Sequence, residues 1–291
     1  MTRFAYFPGC SGEGSGCEYV ESVDDVLRAL GHELEEIPDW NCCGASSAHS
    51  VSEYLSLALP GRDLVKAEEM GLDVIAPCAA CYNRLARAAK VLTRTQAMDG
   101  EELPRFTGSI RVRHPVRILA EPDVLTQVKG LVKQPLAGLK VVPYYGCLLV
   151  RPGEVTELSG SELEDPMWMD RLLQALGAEV LTWSHKTSCC GAAQAMPRPD
   201  ITQRLTMKIV EGARAAGAEA VVTACPLCFL NLEIQQLQAA EREGAKRPLL
   251  PAFYFSELMA VGMRVGRPKR AFKAHMIPVQ DVLAGRQLSW Q

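Results

Sequence analysis

Ten of the eleven cysteines in this 291-residue chain fall into two sets of five with one internal order, and that repeat confines the fold to two like halves. The first set is Cys10, the adjacent pair Cys42 and Cys43 followed by Gly44, and Cys78-Ala-Ala-Cys81. The second is Cys147, the pair Cys189 and Cys190 followed by Gly191, and Cys225-Pro-Leu-Cys228. The step from Cys43 to Cys78 equals the step from Cys190 to Cys225, 35 positions in each case. Neighbouring sequence repeats too: VLRALGHELEEIPDWNCCGAS in one half corresponds to LLQALGAEVLTWSHKTSCCGAA in the other. Only the gap before the pair differs, 32 positions against 42, which places an insertion in residues 148–166. Its Pro, Gly and acidic residues read as a surface loop. The period is too long for a solenoid and fits a duplicated domain, with halves at residues 1–138 and 139–291.

Hydrophobic patterning puts the sulfurs at equivalent places. Residues 4–7 and 140–145 read as short buried strands that end at Cys10 and Cys147. Helices follow through 20–30 and 167–176, stopped by Gly31 and Gly177. Strands through 33–37 and 179–183 lead into the Cys-Cys-Gly turns, helices run through 52–70 and 200–216, and strands 73–76 and 220–223 enter each Cys-x-x-Cys, after which a helix begins. The expectation is an α/β chain of two pseudo-symmetric Rossmann-like β-α-β-α-β-α halves, each with a mostly parallel sheet. All the cysteines then sit just past the carboxyl ends of strands, where open α/β sheets build their sites. Residues 95–138 read as a partly helical interdomain connection.

A net charge of −3 and 6% aromatic residues provide neither the basic surplus nor the stacking platforms of a nucleic-acid binder. No stretch approaches the roughly 20 apolar residues of a membrane span. The N-terminal MTRFAYFPGC lacks the pattern of a secretory signal, so the expected location is the cytoplasm. In that reducing compartment a structural disulfide framework is not expected.

Three chemistries compete for five thiols. A structural zinc ion needs four donors in a tetrahedron, leaves the fifth surplus, and is poorly served by adjacent cysteines. A redox dithiol accounts for the Cys-x-x-Cys alone. An iron–sulfur cluster uses all ten, because it is large enough for neighbouring cysteines to hold different irons. A helix starting after each Cys-x-x-Cys turns its positive end toward an anionic cluster, and Gly44 and Gly191 allow a sharp turn at the crowded pairs. An ordinary cubane cluster takes four thiolates, so the fifth is either a spare or part of an opened cluster.

The doubled Cys, Cys-Cys-Gly and Cys-x-x-Cys pattern resembles the cysteine-rich, or CCG, domain family, and the chain resembles the B subunits of heterodisulfide reductases. FPGC at 7–10, DWNCCGASSAHS at 39–50, PCAACYNRL at 77–85, YYGC at 144–147, SCCGAA at 188–193 and TACPLCFLNLE at 223–233 carry the likeness. It implies two noncubane [4Fe-4S] clusters, one held by Cys10, Cys42, Cys43, Cys78 and Cys81, the other by Cys147, Cys189, Cys190, Cys225 and Cys228. It implies a catalytic subunit that reduces a disulfide, or oxidises two thiols, at the cluster irons rather than at acid–base side chains. The disulfide or thiol is a small molecule or carrier-bound. A ferredoxin-like C subunit and an A subunit with flavin and iron–sulfur centres are the implied partners. The alternative is a non-catalytic electron relay between a dehydrogenase and the quinone pool.

Other residues read as supporting. There is no P-loop or Gly-rich phosphate cradle. His49 and His185 lie near the Cys-Cys turns and read as loop histidines. Trp40 and Trp183 read as packing that shields a cluster. Lys186 and Arg84 read as solvated charges, with an anionic substrate tail as the alternative. The basic run at 264–273 reads as solvated surface, and Cys17 as a free thiol outside both sets.

Overall fold

A computed structural model describes residues 2–45, 48–243 and 248–289. Two four-stranded parallel sheets carry the repeat. In the first, Thr2–Tyr6 lies between His32–Glu36 and Val74–Ile75, and Val112–Arg113 pairs outside Val74–Ile75. In the second, Lys140–Tyr144 lies between Glu179–Val180 and Ala220–Thr223, with Ala252–Tyr254 outside the latter. Both sheets have the strand order 2-1-3-4, and their registers correspond: Val74 faces Val112 as Val221 faces Ala252. In a doubly wound sheet of this order the switch point lies at the carboxyl ends of the first and third strands. Those are the strands that run into Cys10 and Cys78, and into Cys147 and Cys225.

The helices end where glycine permits. Cys17–Ala29 buries Tyr19, Val23, Val26 and Leu27 on one face, and its chain turns at Gly31 with φ +78. Trp168–Ala175 buries Met169, Leu172 and Leu173 and turns at Gly177. Glu53–Met70 opens on Ser52, whose hydroxyl accepts from the Leu55 N–H, and closes on left-handed Gly71. Helices Ala79–Leu92 and Pro226–Glu243 start inside the two Cys-x-x-Cys motifs. Among the described residues no helix is long and apolar enough to cross a membrane.

Two expectations need correction. Each sheet has a fourth strand beyond the β-α-β-α-β-α unit, and the first of these, Val112–Arg113, lies inside the stretch read as a connection. The insertion is a surface loop only in part: its acidic residues are exposed, whereas Leu149, Val150 and Thr156 are fully buried. It latches onto the first half: the Asn83 amide donates to the carbonyls of Leu148 and Arg151, both at 2.9 Å, and Arg117 donates to the Thr156 carbonyl at 2.7 Å. The basic run is solvated surface, as read: Arg264, Arg267, Arg270 and Lys273 are exposed, and Arg270 makes an exposed ion pair with Glu21 at 3.3 Å on the helix Cys17–Ala29.

The halves meet at a local dyad. Tyr19, fully buried, donates toward the carbonyls of both Pro77 and Ala224, at 3.1 and 3.3 Å. These carbonyls are equivalent, each preceding the first cysteine of a Cys-x-x-Cys. His114 Nε2 reaches the same two oxygens at 2.6 and 3.2 Å, while its Nδ1 accepts from the Val116 N–H. Both ring nitrogens are thereby committed, which selects the neutral Nε2–H tautomer. Tyr19 stacks on Tyr254 and Tyr254 on Phe229, with centroids 4.2 Å apart in each pair. Burying an aromatic ring of this kind contributes roughly 2 kcal/mol, so the dyad is a packed core that fixes the two Cys-x-x-Cys segments relative to one another.

Candidate metal centres

Each cysteine set divides in the same way. Cys43, Cys78 and Cys81 are buried, as are Cys190, Cys225 and Cys228, whereas Cys10 and Cys42 are exposed, Cys189 is exposed and Cys147 half-buried. Cys43 Sγ lies 3.2 Å from Cys81 Sγ, and its equivalent Cys190 Sγ lies 3.6 Å from Cys228 Sγ. Cys147 and Cys189 approach to 3.7 Å. Cys42 interacts with both Cys43 and Cys10, and Cys147 with Cys189, Cys190 and Cys225. Cys78 and Cys225 act on each other electrostatically across the dyad, so the two sulfur sets are neighbours there. Cys17, at the start of its helix, stands outside both; burial and Glu18 push its thiol up.

Backbone geometry makes room for the sulfurs. Gly9 and Gly146 share φ +68, and a Cβ on them would lie 2.9 Å from Cys81 Sγ and 3.0 Å from Cys228 Sγ. Only glycine fits there. The N–H groups of Gly44 and Gly191 point at Cys42 Sγ and Cys189 Sγ, at 3.5 and 3.3 Å. Trp40 packs edge-on against Phe7 and Trp183 against Tyr144, at the tips of the equivalent first strands. Both tryptophans are thus packing residues at the strand tips.

Hydrogen bonding between sulfurs splits each pair: Cys43, Cys78, Cys189 and Cys190 are lowered toward thiolate, while Cys42, Cys81, Cys147 and Cys228, which donate, are raised. Hydrogen bonds from Cys42 and then Cys81 bring Cys43 down to about 4, and Cys147 brings Cys189 down to about 6. Cys190 is lowered by Cys228 and then by the Asn231 amide, whose Nδ2 lies 3.4 Å from Cys190 Sγ. The thiolate is the metal-binding form of cysteine. Among the described residues no three His, Cys, Asp or Glu side chains converge on one ion position. An all-sulfur donor set spread over pairs, glycine clearance beside two of the sulfurs, N–H donors to two more and helix starts at both Cys-x-x-Cys motifs fit an iron–sulfur cluster in each half. A buried Arg84 Nε, without a hydrogen-bond partner among the described residues and acted on by Cys43, fits an anionic group at the first site.

Two further candidates have partners of their own. His185 Nδ1 bonds the Ser184 hydroxyl at 3.0 Å and its ring lies against Trp183. Lys186 is not a solvated charge: it is 5% exposed and paired with Asp165 at 2.6 Å and Asp170 at 2.7 Å. Sequence reasoning passed over Tyr19, Asn231, Tyr144, Gly9 and Gly146. A step of 147 positions from Arg84 reaches Asn231, so the repeat itself could have flagged that residue.

The likeness to known proteins runs through both halves. The chain belongs to the cysteine-rich (CCG) domain family, whose pattern matches twice, over residues 4–86 and 141–233. It is 32% identical to the 8-methylmenaquinol:fumarate reductase membrane anchor subunit of Wolinella succinogenes, over 92% of this chain and 94% of that protein. It is 29% identical to the B subunit of the ferredoxin/F(420)H(2)-dependent CoB-CoM heterodisulfide reductase of Methanosarcina acetivorans, over 90% of each. The chain is thus similar along its length to redox subunits of the heterodisulfide reductase kind. A hypothetical protein from Helicobacter pylori shares the fold, with a TM-score of 0.71 at 12% identity; it matches 96% of this chain, which spans 52% of that one.

Proposed function

We propose that this chain is the catalytic subunit of a heterodisulfide reductase-like complex, reducing a disulfide, or oxidising two thiols, between two noncubane [4Fe-4S] clusters. Cys10, Cys42, Cys43, Cys78 and Cys81 hold one, and Cys147, Cys189, Cys190, Cys225 and Cys228 the other. When bound, the clusters supply electrons singly and iron with affinity for sulfur. The observation that carries this reading is the junction at the dyad, where Tyr19 and His114 tie both Cys-x-x-Cys motifs to one point. Cleaving one disulfide consumes two electrons and two protons and yields two thiols, and two like one-electron centres held at fixed separation match that demand.

The chain's own residues position and insulate. The buried cysteines of each set lie toward the dyad, and Cys10, Cys42, Cys147 and Cys189 lie toward solvent, so a small or carrier-bound substrate and its protons arrive from the exposed side. Trp40 and Trp183 limit water at the strand tips. Electrons come from a separate ferredoxin-like C subunit, fed by an A subunit with flavin and iron–sulfur centres, in the cytoplasm.

One observation favours a second reading. The Wolinella succinogenes relative is named as part of a quinol:fumarate reductase, which supports a relay between a dehydrogenase and the quinone pool. Electron paramagnetic resonance of anaerobically purified protein, with candidate thiols and quinones added in turn, separates the two. About eight irons with matching sulfide per chain and a signal altered by one thiol support catalysis. A signal indifferent to every thiol favours the relay, and colourless protein containing zinc overturns both.

A further inference from the structure

The repeat aligns residues 147 positions apart, and at one aligned position beside the sulfurs the chemistry changes. Three residues beyond Cys81, on helix Ala79–Leu92, stands Arg84; three residues beyond Cys228, on helix Pro226–Glu243, stands Asn231. The scaffold around them is conserved within the molecule. The glycine beside the last cysteine has φ +68 in both halves, and the same sulfur pair is close, Cys43 with Cys81 and Cys190 with Cys228. In the second half the Asn231 amide, a neutral donor, lies 3.4 Å from Cys190 Sγ. In the first half a half-buried guanidinium takes that place, and its Nε is buried with no hydrogen-bond partner among the described residues. Arg84 and Cys43 act on each other electrostatically, the cation lowering the thiol. An N–H buried without an acceptor costs about 1–3 kcal/mol, a cost that an anionic group against it offsets.

Cluster potentials are set by net charge, hydrogen bonds to sulfur and exposure. Reduction adds one electron and one negative charge and breaks no bond, so a fixed cation alongside favours the reduced form more than a neutral amide does. Resting on the two-cluster reading above, we propose that the two centres are electronically unequal: Arg84 sets the N-terminal cluster at the higher reduction potential, so the first electron to enter settles there, and Asn231 marks the lower-potential C-terminal cluster. Arg84 is a tuning residue and needs no contact with substrate. Other charges face the same site. Arg87 follows Arg84 by one helical turn and is held 3.7 Å from Glu53. His49 lies within reach of both arginines. Asp63, a fully buried carboxyl on Glu53–Met70, has its ionisation pushed up to about 7 by burial; Cys43 adds to the rise, against lowering by Asn41, Arg62 and Lys66. Ionised Asp63 would offset part of the Arg84 charge, so measurements on both sides of pH 7 are required.

The test uses the full chain, reconstituted anaerobically. Cys228→Ser leaves the N-terminal cluster and Cys81→Ser the C-terminal one, and the midpoint of each is read by redox titration monitored by electron paramagnetic resonance at pH 6 and pH 8. The N-terminal centre is expected to be easier to reduce by at least about tenfold in equilibrium constant, 59 mV for a one-electron couple. Arg84→Asn lowers that midpoint with iron content unchanged, Arg84→Lys retains most of it, and Asn231→Arg raises the C-terminal one. Equal midpoints, or an N-terminal midpoint that ignores Arg84→Asn at both pH values, overturn the proposal while leaving the two-cluster reading intact. A chain that binds no iron sinks that reading and this one together. If Arg84→Asn fails to fold, the Asn231→Arg arm decides alone.

Discussion

The two halves agree in backbone and differ in the side chains that flank the sulfurs. Sheet order, the register of the outer strands, the φ of Gly9 and Gly146 and the burial of three cysteines per set are shared. Around that common frame the first half carries Arg84, Asp63 and His49 where the second has Asn231, Val210 and Met196. Holding five sulfurs constrains backbone approach and turn geometry to a few tenths of an ångström. The second layer of residues is under no such restriction, and there the copies are free to take different electronic roles.

The most severe way to break the comparison is to remove one sulfur set. Cys81→Ser and Cys228→Ser are each expected to halve the bound iron, measured against protein concentration. Loss of all the iron from either variant would mean that the halves do not load independently. Next in size are the glycines. Gly9→Ala and Gly146→Ala each force a Cβ to within about 3 Å of a sulfur, from a left-handed backbone that alanine resists. Each is expected to destabilise by roughly 1–3 kcal/mol and to cut iron in its own half several-fold. Gly31→Ala is the control: its φ is +78 but nothing lies within 4 Å, so it incurs the strain and keeps its iron.

Those glycines also mark how far the sequence could be read. The strands and helices leading to the cysteines were legible because they follow hydrophobic period and glycine stops, and they recur. The outer strands were not. Val112–Arg113 is two residues long and sits among charges, and Ala252–Tyr254 follows directly on Pro251, so neither offers a period to detect. The insertion looked like a loop because its contacts to Asn83 and Arg117 are made by backbone carbonyls, which leave no trace in residue type. Lys186 looked solvated for a related reason. Its partner Asp170 lies 16 positions away, on a helix that meets it only in the folded chain.

A smaller effect sharpens the dyad. Tyr19→Phe keeps the stacked ring and deletes one hydroxyl that serves two equivalent carbonyls. The expected loss is about 1–2 kcal/mol, a fall of a few degrees in apparent melting temperature, with each half keeping its iron. A drop confined to iron content would mean that Tyr19 supports a cluster directly and not the junction.

The least of these effects is a pH slope, and it distinguishes the junction's two bridging residues. Burial lowers His114 to about 4, below the roughly 6.5 of an exposed histidine. Above pH 6.5 the ring is neutral in folded and unfolded chains alike, and its contribution is complete. Between 6.5 and 4 the unfolded chain binds a proton that the folded chain refuses, so stability falls as pH falls, by roughly 1 kcal/mol at pH 6. His114→Gln removes that proton difference. Its apparent melting temperature is lower than wild type at pH 7.5, through lost hydrogen bonds, but declines less steeply toward pH 5, whereas Tyr19→Phe declines in parallel with wild type. Parallel curves for His114→Gln would show that His114 already takes up a proton within the folded junction, and that its two carbonyl contacts do not depend on the neutral ring.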